Sequence, residues 1–180
     1  LHAVLRIARV CIDDATVTRA WELARYAARL PAEVTYPGTA PFTDMGRASR
    51  LFYGAQVGHD VDEAVDFFQR AAADATREGS GSIPADVLAL LLWRLGRPGD
   101  ALGVVLTRPP DDAPPTEALP PGTLPSVVEL ATAAGDFGSV RDACRDRGDE
   151  ITFAATLVAE AHLGLHKPPQ GPQAVQGRTA

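Results

Sequence analysis

Leu95-Gly96-Arg97-Pro98-Gly99-Asp100-Ala101 lies between two apolar-periodic stretches, and its chemistry decides how they are joined. Glycine accepts the left-handed backbone that closes a helix. Proline is tolerated in a first helical turn, where its missing N–H has no intrahelical partner to lose. One helix therefore stops at Gly96 and the next starts at Pro98, with no room for a wandering loop. The second helix must fold back along the first. Ala134-Gly135-Asp136-Phe137-Gly138-Ser139-Val140 repeats the pattern. Val57-Gly58-His59-Asp60-Val61-Asp62-Glu63-Ala64 repeats it with one more residue, and Asp13-Asp14-Ala15-Thr16-Val17-Thr18-Arg19-Ala20 repeats it without the glycine. In each, a small apolar residue (Ala101, Val140, Ala64, Ala20) lets the second helix approach the first closely.

Working outward, apolar spacing is helical almost throughout, with hardly any sustained alternation. Helices are expected over Leu1–Ile12, Thr16–Leu30, Asp44–Val57, Asp60–Glu78, Ile83–Leu95, Pro98–Thr107, Ser126–Gly135, Phe137–Arg147 and Glu150–His166. Asp60 with Glu63, and Ser126 with Glu129, have capping-box spacing. Asp149 is placed to cap the last helix, whose inward stripe reads as Ile151, Ala154, Val158, Ala161 and Leu165. Pro31–Thr43 and the proline-rich Arg108–Leu124 are loops, because proline lacks the N–H that a helix needs. The expected organisation is a helical segment over 1–107, a Pro-rich loop over 108–124, a helix pair plus a terminal helix over 125–166, and a disordered tail over 167–180.

Paired helices with Gly-to-small junctions resemble the tetratricopeptide repeat and its Sel1-like relative, in which glycine after the first helix and alanine in the second recur. Gly58–Ala73, with Glu63-Ala64, Phe67-Phe68 and Arg70-Ala71-Ala72, carries the resemblance best; Ala85–Leu102 comes next. The equivalent small residues lie 44, 37 and 39 apart, against a period of ~34 in the main family. The fold class expected is all-α, antiparallel helix pairs stacked as a tetratricopeptide-like α-solenoid; the alternative is an irregular helical bundle. The resemblance implies a non-enzymatic module for protein–protein interaction or scaffolding. It also implies a groove lined from the first helix of each pair: Asp86, Leu90, Trp93 and Arg94, with Phe52 and Gln56 from the pair before. The family's clamp for a peptide carboxylate uses Asn and Lys. This chain has no Asn, and its single Lys is Lys167, so that ligand mode is not expected.

Composition narrows the functional classes. A net charge of −6 argues against a nucleic-acid platform, which needs a basic face to displace condensed counterions. The longest apolar run, Val87–Trp93, is far below the ~20 residues that span a bilayer, and no signal-like head is present. A soluble, cytoplasmic protein with a protein or peptide partner is expected. Leu1 stands inside an apolar-periodic stretch, which reads as part of a longer protein. Cys11 and Cys144 both fall on apolar helix faces and read as small buried hydrophobes; their spacing does not indicate a disulfide.

Constellations that carry chemistry are sparse. His162 and His166 share a helix face at the spacing of two metal ligands, but Glu160 points elsewhere and no third ligand is near. An all-helical enzyme or metal protein built on these two histidines is the rival reading. His59 sits in a turn beside Asp60, and His2 near the start of the chain. Asp13-Asp14 and Asp111-Asp112 read as capping and loop carboxylates. No GxSxG elbow, phosphate-binding glycine loop or HExxH motif occurs. No catalytic residue, metal site or cofactor is expected.

Overall fold

The computed structural model describes residues 14–27, 42–79, 83–108 and 124–166. The expected helix over Leu1–Ile12, most of both proline-rich loops, and the tail from Lys167 lie outside the described residues, as do Cys11, His2 and Asp111-Asp112. Eight helices and no strands occur among those described: α1 (Asp14–Ala27), α2 (Phe42–Gln56), α3 (Val61–Glu78), α4 (Ile83–Arg94), α5 (Pro98–Thr107), α6 (Val127–Ala134), α7 (Phe137–Arg147) and α8 (Glu150–His166). The all-α expectation holds, with boundaries within a few residues of those read from the sequence.

Four of the connections share one device. Each helix ends on a glycine, and the N–H of the next residue reaches back to the carbonyl five positions earlier. The pairs are His59 to Gly54 (2.8 Å), Arg97 to Leu92 (2.9 Å), Asp136 to Ala131 (3.1 Å) and Asp149 to Cys144 (2.9 Å). This is the reverse bond of a Schellman motif, which satisfies a carbonyl that the helix itself leaves unpaired. Gly96 (φ 72°) and Gly135 (φ 70°) hold the left-handed conformation it requires, which a Cβ disfavours by roughly 1–2 kcal/mol. The chain is reversed within two to four residues, and consecutive helices are brought face to face. The small residues after three of the junctions, Ala64, Ala101 and Val140, are completely buried, and so is Ala20 to within 1%.

Every helix packs on its successor up to α7. Beyond that, α2 also touches α4, and α8 lies against both α7 and α6. One hydrophobic cluster runs from Val17 in α1 to Cys144 in α7. Its middle is α4, where Leu88, Ala89, Leu90, Leu91 and Leu92 are all buried. A helix apolar on every side is stable only when surrounded, and α2, α3 and α5 enclose this one. Phe52 meets Tyr53 and Phe68 edge-on, at centroid distances of 5.3 and 6.1 Å. The second contact ties α2 to α3, with aromatic geometry worth about 0.5–1.5 kcal/mol beyond area burial.

Two sequence expectations are corrected here. Asp60 and Glu63 do not form a capping box. Asp60 is itself left-handed (φ 52°) and makes no side-chain cap; its carboxylate pairs with Arg50 at 2.8 Å, while Glu63 pairs with Arg47 at 3.0 Å. The longer junction spends Asp60 on the turn, so its side chain faces α2 instead of the open N–H groups of α3. The second correction concerns α8. Ile151, Ala154, Val158 and Ala161 face solvent, while Thr156 is completely buried and Phe153 and Ala159 are half-buried. The helix packs through the other side, because Thr156 satisfies its hydroxyl on the Thr152 carbonyl at 2.7 Å and so enters the interior at little polar cost.

The expected box at Ser126 is present: the Glu129 N–H donates to Ser126 Oγ (3.2 Å), and the Ser126 N–H donates to Glu129 (2.7 Å). Asp136 caps α7 through the Ser139 N–H, and Asp149 caps α8 through the Thr152 N–H, each at 3.0 Å. These bonds favour the ionised carboxylates. The backbone N–H and then the hydroxyl of Ser126 hold Glu129 below its ordinary range. The Ser139 hydroxyl, then its N–H, does the same for Asp136; Thr152, side chain before backbone, does it for Asp149.

Substituting Gly135→Ala should lower unfolding stability by about 1–2 kcal/mol, since the left-handed residue would carry a Cβ. Gly103→Ala, in an exposed helical position with open space around it, should raise stability by about 0.5–1 kcal/mol. Urea denaturation of the two variants checks both signs. Carboxylates depressed in the folded state bind fewer protons there than in the unfolded chain, so their contribution is complete above the ordinary carboxylate range and disappears as pH falls below about 4. Ser139→Ala removes the main cause of the Asp136 shift, and its urea midpoint should decline less steeply with acid than that of the native chain.

Candidate functional site

The six residues expected to line a groove come from α2 and α4, the two helices that touch across the intervening α3. The structure separates them into two groups. Phe52 and Leu90 are buried in the hydrophobic cluster. Asp86 is buried as well and forms an ion pair with Arg108 at the end of α5. That pair closes α4 onto α5 just before the chain enters the proline-rich segment.

Gln56, Trp93 and Arg94 are half-buried and reach the surface. Arg94 Nη1 donates to Gln56 Oε1 at 3.1 Å, and Gln56 Nε2 donates to the Phe52 carbonyl at 2.9 Å. A three-part chain thus runs from the α4 guanidinium to the α2 backbone. It fixes the end of α2 against the end of α4, where Trp93 precedes Arg94 in the chain. Both side chains come from the last turn of α4, so their position follows directly from the Gly96 junction.

A second surface cluster was not legible in the sequence. Trp21 of α1 stacks on His59, with centroids 4.2 Å apart and planes 13° from parallel. Arg25 lies over the same indole at 4.7 Å. Gly54 makes room for it: a Cβ there would stand 3.1 Å from Trp21 Nε1. The aromatic contact joins α1 to the α2–α3 junction, and no local pattern connects residues so far apart in the chain.

The end of α7 and the start of α8 enclose an open depression of about 490 Å³, lined by Cys144, Arg145, Gly148, Asp149, Glu150 and Phe153. Two of its polar side chains are committed. Asp149 caps α8, and Arg145 pairs with Asp142 at 2.8 Å while lying over the Phe153 ring at 5.3 Å. Burial pushes the Cys144 thiol up, which keeps it protonated and a poor nucleophile. Among the described residues no group of three or more His, Cys, Asp or Glu is arranged to hold a metal ion. His162 is exposed near the end of α8, and the side chain of His166 lies outside the described residues. No helix among them is long and apolar enough to cross a membrane.

The chain matches no family model, no curated protein and no solved structure.

Removing the Asp86 carboxylate leaves Arg108 without its charged partner. Asp86→Ala should cost about 1.5–3 kcal/mol, the usual worth of a hydrogen bond to a charged group. Thermal denaturation measured beside Arg97→Ala, whose partner Asp100 lies in an exposed pair, should show a much smaller loss for the latter, about 1 kcal/mol or less.

Proposed function

We propose that the chain is a non-enzymatic helical-repeat module, of the tetratricopeptide or Sel1-like kind, that docks a protein or peptide partner. One observation carries the reading: the same glycine reversal recurs at Gly58, Gly96 and Gly135, each followed by a completely buried small residue in the returning helix. A unit repeated in this way cannot hide its apolar side alone, and stacking neighbours gives a continuous core. The contacts of α2 with α4 and of α6 with α8 support the reading, since a stack of pairs places first helices side by side. The docking edge is Gln56, Trp93 and Arg94. An indole and a guanidinium from the same helical turn suit a peptide segment that offers an apolar and an acidic side chain.

Two measurements test this. In a stack, each pair depends mainly on its neighbours, so a chain of residues 1–108 should retain helical circular dichroism and a cooperative melt. Loss of folded structure on removal of the later helices would favour a closed bundle. For the docking edge, a displayed library of random peptides selected on the full chain should yield binders that Trp93→Ala with Arg94→Glu abolishes at unchanged helicity. Failure to select binders, or selected binders indifferent to the double substitution, would remove the edge from the proposal.

A further inference from the structure

The solvent side of α8 is apolar. Ile151 is 85% exposed, Val158 70% and Leu157 44%. Between and beside them Ala154, Ala155 and Ala161 are also exposed, and from Ile151 to Ala161 this side carries no charge. Contiguous apolar surface on a helix is covered in the functional state.

The order of the residues states what covers it. Ile151, Ala154, Val158 and Ala161 follow alternating steps of three and four, the spacing of a two-helix seam. Large and small side chains alternate along that seam. In a parallel pair, Ile would face Ile and Ala would face Ala, crowding one layer and leaving the next empty. In an antiparallel pair centred on Thr156, Ile151 faces Ala161 of the second copy and Ala154 faces its Val158. Every layer then sums one branched side chain and one methyl, which packs evenly at close helix separation. Leu157 flanks the seam on one side and Ala155 on the other. The same register sets the acidic first turn at Glu150 level with His162 of the second copy, and the helix dipoles oppose. Thr156 and Phe153 face the body of the molecule, so the fold of each copy is undisturbed.

We infer that α8 is a homodimerisation helix, pairing with α8 of a second copy of this chain in antiparallel register about Thr156. The two-fold operation makes the patch self-complementary, as a symmetric dimer requires. The seam from Ile151 to Ala161 is short, about 15 Å at 1.5 Å per residue, so the dimer dissociates on dilution. This inference does not depend on the docking edge of α2 and α4, which is on another part of the molecule.

Sedimentation equilibrium of the full chain over a range of concentrations should show a monomer–dimer equilibrium. Val158→Asp, at an exposed position, should weaken it by about ten-fold or more with helicity and melting temperature kept. Single cysteines then read the register. Under mild oxidation Ala155→Cys, beside the two-fold axis, should give a disulfide-linked dimer joined through residue 155, identified by non-reducing peptide mapping. Ile151→Cys, far from its own copy in this register, should not link to itself. A chain monomeric at every concentration, a dimer unaffected by Val158→Asp, or self-linkage at 151 in place of 155 would each overturn the inference. Linkage through 155 in the native register sustains it even if the aspartate variant is unstable.

Discussion

The constraint on which this structure rests is a single backbone bond made four times: an N–H just past a left-handed glycine, returned to the carbonyl five residues before it. The bond satisfies an acceptor that the helix end would otherwise expose to the interior, and it reverses the chain. Helices of 8–18 residues are marginal alone, because nucleation is costly and an isolated helix has nothing on which to bury an apolar stripe. The reversal places that stripe against the next one at once, with little loop entropy to overcome. The packing at Ala64, Ala101 and Val140 is the consequence, since only a small or flat side chain fits where two helices are held so near their common turn.

Polar interactions take a secondary part, and their placement explains which surfaces are available. Asp86 and Arg108 join α4 to α5, Arg141 and Glu160 join α7 to α8, and Arg147 reaches the Leu106 carbonyl between α7 and α5. Each lies where one helix meets another. Arg50 and Arg47 likewise join α2 to the start of α3 through Asp60 and Glu63, whereas pairs such as Arg77 with Asp74 and Arg145 with Asp142 are exposed and run along one helix, worth little individually. Arginine suits the bridging positions: its charge persists in partly buried surroundings and its planar fork keeps two donors aligned. The docking edge proposed at the end of α4 and the seam proposed on α8 both lie outside the buried cluster.

These two surfaces suit different tasks. As proposed, the α4 edge, held by a hydrogen-bonded chain to α2, would receive a charged segment of a partner. The α8 face has no charge and alternates in size, so it selects by shape. As proposed, one would recognise another molecule and the other would join like copies. A module carrying both would present its docking edges in duplicate, with apparent affinity raised through effective concentration rather than through new contacts.

Local chemistry determined the helices of this protein: where they end (Gly58, Gly96, Gly135, Gly148), where they begin (Pro98, Ser126, Asp149), and which small residues the returning helices bury. Those signals act within one turn, so they are complete in the sequence. The exposure of the six residues expected to line a groove was not legible, because Phe52 and Leu90 belong to helices enclosed on several sides, and enclosure is a property of neighbours. The same holds for the capping box expected at Asp60, which gave way to an ion pair with Arg50 on the preceding helix. Only tertiary structure decided which side of α8 turns inward. Both sides are rich in alanine and other apolar groups, so periodicity favours the Ile151–Val158 stripe. Packing chose the other, because Thr156 closes its hydroxyl on its own helix while Phe153 and Glu160 find Arg145 and Arg141 of α7. Such a choice rests on contacts between distant residues, and no window of sequence contains them.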